Sequence, residues 1–189
     1  FTSGKENKII EFDGIKYGLS ICEDIWSEQY VSNLVNDGAQ IIINLSASPF
    51  TVTKKITREK MLSSYLRKYR APIIYLNQVG GQDELVFDGS SMVFSGGEEI
   101  SKFKSFEIDS KEIEINKSQE LKFLIDEVEK YQSDDLEDIY NALVLGTKDY
   151  VDKNGFKGII IGSSGGIDSA LTATIAYDAL GSSRVNTVM

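Results

Sequence analysis

Short apolar runs alternate with longer stretches of helical spacing over the first half of the chain, a pattern typical of an α/β protein. Residues 41–45 are apolar on both faces, as expected for a strand that is covered on both sides. Residues 54–70 have the spacing of a basic amphipathic helix, and Pro72 ends it before a strand at 73–77. These elements predict a layered domain in which helices cover a sheet.

Glycine pairs mark the turns that follow this layered segment. The pair Gly80-Gly81 predicts a turn between two strands. Residues 86–100 predict a β-hairpin region, in which Asp88-Gly89 and Gly96-Gly97 are the turn signals.

The composition changes beyond the hairpin region, where a charged stretch without glycine or proline begins. We interpret residues 109–134 as an acidic linker, formed by a strand end followed by a solvated helix or tether. A helix at 135–154 follows it. The spacing then predicts a strand at 158–161, a helix at 169–180 and a second, parallel strand at 184–189.

The predicted organisation is therefore two α/β units joined by a linker. Residues 1–108 form the first unit, 109–134 link it to the second, and 135–189 begin a domain with a Rossmann-like parallel sheet. Phe1 stands where a methionine would begin a chain, and an apolar run starts just before Met189. We therefore expect this sequence to be an internal segment of a longer protein.

Composition narrows the classes of function. The 189 residues are 41% hydrophobic, enough for a core, and their net charge of −9 argues against nucleic acid as a partner. No apolar run approaches the roughly 20 residues of a membrane span, and one cysteine cannot form an internal disulfide. We expect a cytoplasmic protein without a membrane partner.

Residues 158–180 place a buried strand, a tight Ser/Gly loop and a helix in direct succession. Such a loop directs backbone N–H groups and the positive end of a helix at one point, which suits an anion. The candidate ATP-binding residues are Gly162, Ser163, Ser164, Gly165, Gly166, Ile167, Asp168 and Ser169. The Asp168 carboxylate is a candidate Mg²⁺ ligand. The alternative is an ordinary tight turn between strand and helix.

The loop lacks the lysine of a Walker motif, so it suits the binding of a departing pyrophosphate better than γ-phosphoryl transfer. Its sequence SGGIDS, residues 164–169, resembles the pyrophosphate loop of the ATP-pyrophosphatase family. Members of that family adenylate a substrate before a nitrogen or sulfur nucleophile displaces AMP. The resemblance implies ATP and Mg²⁺ at this loop.

Cys22 is the only cysteine, and the chain contains no histidine. A catalytic thiol needs a base because it is mostly protonated at neutral pH, and a Cys-His pair is impossible within this chain. Residues 17–21 predict a strand that ends at Cys22, where the chain would bend into a helix. At such a bend the Glu23 backbone N–H is placed to stabilise an oxyanion. The alternative is a small, buried, unreactive cysteine.

Three segments, GLSICEDIW, NLSASPF and NQVGGQDELVFDGSS, resemble the nitrilase superfamily, and specifically the glutaminase domains of glutamine-dependent NAD+ synthetases. The segment DIYNALVLGTKDYVDKNGFKGIIIGSSGGIDSAL is similar to the ATP-pyrophosphatase domain that these enzymes carry in the same polypeptide. The resemblance implies a partial nitrilase-like α/β sandwich followed by the start of a domain of the adenine nucleotide alpha hydrolase type.

The resemblance implies that Cys22 hydrolyses L-glutamine through a glutamyl thioester. The ammonia would then amidate deamido-NAD+ to NAD+ with ATP and Mg²⁺, in a homo-oligomer. It also implies that Ser48 and Lys54 bind the glutamine α-carboxylate, the alternatives being a turn serine and a solvated helix lysine. We interpret Arg58 as a surface or packing residue and Asp88 as a turn charge.

In this family the glutamate base and the lysine that assist the cysteine precede it in sequence. Few residues precede Cys22, and neither Glu11 nor Lys16 lies in a matching motif. We therefore expect the proton acceptor to lie outside this chain and the chain alone to be inactive. Two alternatives stay open, namely another ATP-pyrophosphatase-type ligase or sulfur-transfer enzyme, and an inactive truncated fragment.

Overall fold

The computed structural model describes residue 4 and residues 8–116, 122–124 and 134–189. The helices of the first unit are α1 (Glu28–Asn36) and α2 (Lys54–Tyr69), with a 3-10 helix at Cys22–Trp26. Its strands are β1 (Lys8–Phe12), β2 (Ile15–Ile21), β3 (Ile41–Ser46), β4 (Ile73–Asn77), β5 (Val79–Gln82), β6 (Leu85–Asp88), β7 (Met92–Ser95), β8 (Glu98–Lys102), β9 (Glu114–Asn116) and β10 (Lys122–Leu124). The predicted helix at 54–70 and strand at 73–77 are confirmed.

A six-stranded mixed sheet in the order β1-β2-β3-β4-β7-β8 organises the first unit. The three strands β2, β3 and β4 are parallel, and their register places Ile43 of β3 beside Leu19 and Ile74. The carboxyl ends of these three strands therefore meet at one edge of the sheet, which is where α/β proteins usually bind ligands.

Both faces of the sheet bury apolar side chains. Helices α1 and α2 cover one face, where Leu34 and Leu62 pack with Ile42 of β3. On the opposite face, Ile41 packs in a second cluster with Phe123 of β10. The alternation of neighbouring side chains between the two clusters explains why residues 41–45 are apolar on both faces.

The interpretation of 109–134 as a strand end followed by a solvated helix or tether is wrong for its described part. Strands β9 and β10 pair in antiparallel fashion, and Phe123 is buried against the large sheet. In the described part of this stretch, the apolar side chains of Ile113, Ile115 and Phe123 pack on the first unit. Residues 117–121 and 125–133 lie outside the described residues.

The Gly80-Gly81 pair also differs from its predicted role, because it lies inside strand β5 and not in a turn. The turn between β5 and β6 falls at Asp83-Glu84, with Asp83 at a positive φ of 51°. The physical reason is close packing, since a Cβ on Gly81 would lie 3.1 Å from the Cα of Gly146. The hairpin turn predicted at Gly96-Gly97, between β7 and β8, is confirmed.

The second unit begins with α3 (Asp135–Lys153), followed by β11 (Ile159–Gly162), α4 (Ile167–Leu180), a 3-10 helix at Ser182–Arg184 and β12 (Val185–Val188). The predicted parallel pairing of its two strands is confirmed. None of the helices in the described part of the chain combines the length and apolar character needed to cross a bilayer.

Helix α3 packs against the β5–β6 hairpin and so joins the two units. The Gly81 N–H donates to Asp149 Oδ2 at 2.7 Å, and Lys153 Nζ donates to the Gly81 carbonyl at 2.6 Å. One turn from the start of the helix, the half-buried Lys55 of α2 pairs with Asp138 at 3.3 Å. The hairpin is therefore held by hydrogen bonds to its main chain and not only by side-chain packing.

Candidate functional site

Two candidate residues of the first unit, Cys22 and Ser48, and one residue that the sequence did not single out, Asn77, lie at the carboxyl edge of its parallel strands. Cys22 directly follows β2, Ser48 follows β3, and Asn77 is the last residue of β4. Parallel pairing of adjacent strands brings these ends together although the residues are far apart in sequence.

Cys22 is the first residue of a 3-10 helix and has a positive φ of 47°. The left-handed region is unfavourable for a non-glycine residue, and such strain is found preferentially at functional sites. The Asp24 carboxylate accepts a hydrogen bond from the Ile21 N–H at 2.9 Å and so stabilises the bend. The thiol is free and half-buried. The predicted strand-to-helix bend is confirmed, while the role of the Glu23 N–H stays a prediction.

Ser48 is 3% exposed, and its hydroxyl oxygen finds no hydrogen-bond partner among the described residues. Its main chain is held on both sides by the Asn77 carboxamide. Oδ1 of Asn77 accepts from the Ser48 N–H at 2.8 Å, and Nδ2 donates to the Ser48 carbonyl at 3.2 Å. A buried hydroxyl without a partner is costly, so a ligand that bonded to it would gain affinity.

Lys54 begins α2 and is half-buried. Its Nζ lies 5.9 Å from the ring centroid of Trp26, which ends the 3-10 helix that begins at Cys22. The ammonium group thus lies near the end of the 3-10 helix that begins at Cys22. Its predicted contact with a substrate carboxylate stays a prediction.

Sequence reasoning missed a buried ion pair beside this edge. Arg58 and Asp88, interpreted as a surface or packing residue and a turn charge, are each 1% exposed and form a salt bridge. Burial lowers the pKa of the Arg58 guanidinium, but the Asp88 carboxylate more than offsets this, and the pKa is raised. The spacing from Arg58 to Leu62 and Tyr65 gives the signal that could have found it, because all three occupy the inward face of α2.

The second candidate site lies between β11 and α4. Gly166 is the N-cap of α4, and Gly165 has a positive φ of 77°, where a side chain would be strained. Ser169 Oγ donates to the Gly166 carbonyl at 2.9 Å and lies 3.3 Å from Ser164 Oγ. The loop from Gly162 to Ser169 forms one exposed or half-buried turn at the start of α4. The predicted strand, loop and helix are confirmed, with α4 beginning two residues earlier than expected.

Asp168 lies exposed in the first turn of α4. Within the described residues no group of three or more His, Cys, Asp or Glu side chains is placed to hold a metal. One carboxylate beside exposed hydroxyls nevertheless suits Mg²⁺, which usually takes one or two protein carboxylates and completes its shell with phosphate oxygens and water. Asp168 therefore fits the assignment as a ligand of nucleotide-bound Mg²⁺.

Comparison with known proteins identifies both units. Residues 1–100 match the family model for carbon-nitrogen hydrolases, and the chain belongs to that family. Residues 139–189 match the model for NAD synthases. The order of the two matches is the one inferred from the motifs, and the predicted α/β fold class is confirmed.

Relatives of the same architecture cover this chain along its whole length. The chain is 40% identical to the glutamine-dependent NAD(+) synthetase of Acinetobacter baylyi, over all of its residues and 35% of that protein. It is 37% identical to the protein of the same name from Thermotoga maritima, again over its whole length and 38% of that protein. The chain thus spans little more than a third of these curated relatives. The resemblance to glutamine-dependent NAD+ synthetases is confirmed.

Solved structures agree with these matches. The glutamine-dependent NAD+ synthetase of Acinetobacter baumannii, solved in complex with ADP, aligns at a TM-score of 0.93 and 40% identity over the whole chain and 36% of its own length. The amidase from Nesterenkonia sp. AN1 aligns with 56% of this chain at a TM-score of 0.50 and 22% identity, which shows a shared fold alone.

Proposed function

We propose that the full-length protein containing this chain amidates deamido-NAD+ to NAD+ in an ATP-dependent reaction, using ammonia released from L-glutamine. The observation that carries this proposal is the combination, in one chain, of a thiol on a strained strand-to-helix bend and a Ser/Gly loop at a helix N-terminus. The synthetase relatives match both parts in the same order.

In the first half-reaction, the general base passes the proton of the Cys22 thiol to the amide nitrogen of glutamine. Sγ bonds to the δ-carbon and the C–N bond breaks, so that ammonia leaves and a glutamyl thioester remains. Water then hydrolyses the thioester to glutamate and restores the thiol. The Glu23 N–H stabilises the oxyanion, and Ser48 and Lys54 bind the α-carboxylate. We expect the general base to lie outside this chain, because the glutamate and lysine that assist the cysteine in the resembled family precede it, and neither Glu11 nor Lys16 occupies a matching motif.

In the second half-reaction, the loop Gly162–Ser169 binds ATP. The nicotinate carboxylate of deamido-NAD+ attacks the α-phosphorus, pyrophosphate leaves, and ammonia displaces AMP from the acyl adenylate. The backbone N–H groups at the start of α4 attract the phosphate charge. Asp168 would hold Mg²⁺, which when bound neutralises phosphate charge.

We further expect a cytoplasmic homo-oligomer, in which residues 109–134 mark the boundary between the two domains.

The test measures NAD+ formation by the full-length protein from deamido-NAD+ and ATP-Mg, with glutamine or ammonium as nitrogen donor. Cys22→Ala is expected to abolish the glutamine-driven reaction and to spare the ammonium-driven one. Asp168→Ala, the companion variant, is expected to reduce both. Absence of NAD+ formation by the wild type with either donor would contradict the substrate assignment and favour another ATP-pyrophosphatase-type ligase.

A further inference from the structure

The side-chain amide of Asn77 is fully engaged although it belongs to none of the predicted sites. Besides its two bonds to the main chain of Ser48, it donates from Nδ2 to Asp88 Oδ1 at 3.1 Å. Its own backbone N–H donates to Ser91 Oγ at 2.9 Å. The residue is 9% exposed, so these bonds are made largely out of water.

The Asp88 carboxylate determines which way the Asn77 amide points. An ionised carboxylate only accepts hydrogen bonds, so the NH₂ group of Asn77 must face it and the amide oxygen must face the Ser48 N–H. The salt bridge to Arg58 fixes this carboxylate through its other oxygen. Arg58 and Asp88 thus select one orientation of the amide.

The selected orientation has a consequence at Ser48. Both polar groups of its main chain are bonded to one amide, whereas its buried hydroxyl has no partner within the residues that the structure describes. The backbone is therefore fixed so that the one unused hydrogen-bonding group at this position is the side-chain hydroxyl. A preorganised hydroxyl of this kind binds a ligand without a large ordering cost.

We propose that Asn77 is a positioning residue for the glutamine-binding segment at Ser48, oriented by the Asp88–Arg58 pair. The inference rests on the proposed function and extends it to a residue that does not itself touch the substrate. Loss of the amide would release the main chain of Ser48 and weaken glutamine binding. The chemistry at Cys22 and the ammonium-driven reaction would be affected less.

The experiment uses the full-length protein with the variants Asn77→Ala and Asn77→Asp. Both are expected to raise the KM for glutamine by roughly 10- to 100-fold, the effect of losing hydrogen bonds that involve a charged group. The carboxylate introduced by Asn77→Asp cannot donate a hydrogen bond to Ser48 or to Asp88, and it lies next to the Asp88 carboxylate. The ammonium-driven rate is expected to stay within about 2-fold of the wild type. An unchanged KM for glutamine overturns the proposal.

A second variant tests the orienting role of Asp88. In the double variant Arg58→Met with Asp88→Asn, both charges are replaced together, so no unpaired charge is left in the core. The Asn77 amide then loses the carboxylate that orients it, and we expect a higher KM for glutamine than in the wild type. An unchanged KM for glutamine would overturn the role assigned to Asp88.

Glutamine occupancy can also be read without NAD+ formation, from the glutamine concentration that half-protects Cys22 against alkylation by iodoacetamide, followed on its peptide by mass spectrometry. The Asn77 variants should require more glutamine, whereas Gln78→Ala, an exposed neighbour, should not. A glutamine-driven reaction that survives Cys22→Ala would refute the proposed function itself. If Cys22 is essential but the Asn77 variants protect like the wild type, only the positioning role is refuted.

Discussion

The Arg58 guanidinium of α2 and the Asp88 carboxylate at the end of β6 face each other in the interior of the first unit, each 1% exposed. The pair connects a helix that starts at the candidate glutamine-binding lysine with a hairpin that ends beside Asn77. Two charges in the core are tolerated because they are opposite and in contact, and the Asp88 carboxylate also accepts from Asn77, although Nε and Nη1 of Arg58 find no hydrogen-bond partner among the described residues. The same pair orients the amide that holds Ser48.

Breaking this ion pair should be strongly destabilising. Arg58→Met leaves the Asp88 carboxylate buried and unpaired, and we expect a loss of about 3–5 kcal/mol in the free energy of unfolding. Urea unfolding of the full-length protein, followed by a probe in the first unit, measures the loss. Arg67→Met, at an exposed position in the last turn of the same helix, should cost less than about 1 kcal/mol. Similar losses in the two variants would contradict the assignment.

Removing the Ser48 hydroxyl should separate binding from stability. Because the oxygen is buried without a partner in the described structure, Ser48→Ala is expected to leave the free energy of unfolding unchanged or slightly higher. The KM for glutamine should nevertheless rise roughly 10-fold or more, through loss of a hydrogen bond to a charged carboxylate. Steady-state kinetics and thermal unfolding of the same preparation check both halves. A destabilised variant with normal KM would indicate a structural serine.

The nucleotide loop offers a matched pair of glycines. Gly165 and Gly155 have similar positive φ values of 77° and 70°, and a Cβ at either would meet nothing within 4 Å. Alanine at each position should therefore impose a similar strain of about 1–2 kcal/mol. Only Gly165→Ala is expected to weaken ATP-Mg binding, measured by calorimetry on the full-length protein. Equal affinities in the two variants would show that the loop does not bind the nucleotide.

Asp149 should hold the two units together through its bond to the Gly81 N–H. Asp149→Ala is expected to cost about 1.5–3 kcal/mol of docking, because the buried N–H loses a charged acceptor. Hydrogen exchange at the Gly81 amide should accelerate, which mass spectrometry can follow. Lys148→Ala, at an exposed neighbouring position of α3, is the control. Unchanged protection of Gly81 in the Asp149 variant would argue against this contact.

Periodicity and turn chemistry sufficed for the elements that form locally. Helix α2 and the strand–loop–helix at Gly162–Ser169 follow from apolar spacing, capping and glycine placement, all of which act within a few residues. The bend at Cys22 could also be predicted, because the strand pattern ends at Ile21 and charged residues follow Cys22. These features need no knowledge of the rest of the fold.

What the sequence did not show depends on partners that are distant along the chain. Arg58 binds a carboxylate 30 residues away, and Gly81 binds one 68 residues away. A glycine pair indicates a turn by its conformational freedom, but here it serves the close approach of a helix. Likewise, the many charged residues around Ile113 and Ile115 favour a solvated segment, but both isoleucine side chains pack against the apolar cluster on the large sheet.

The glycine contact between the units also limits which halves can be combined in chimeric proteins. The main chain of Gly81 lies so near α3 that a Cβ there would come within 3.1 Å of Gly146 Cα, and a Cβ on Gly146 would come within 3.0 Å of Val86. A second unit grafted from a relative would therefore fit this hairpin without a shift of its neighbours only if its first helix kept glycine at the position of Gly146. A hydrogen-bond acceptor kept at the position of Asp149 would preserve the contact with the Gly81 N–H. Compatibility of donor and recipient can thus be screened from two positions.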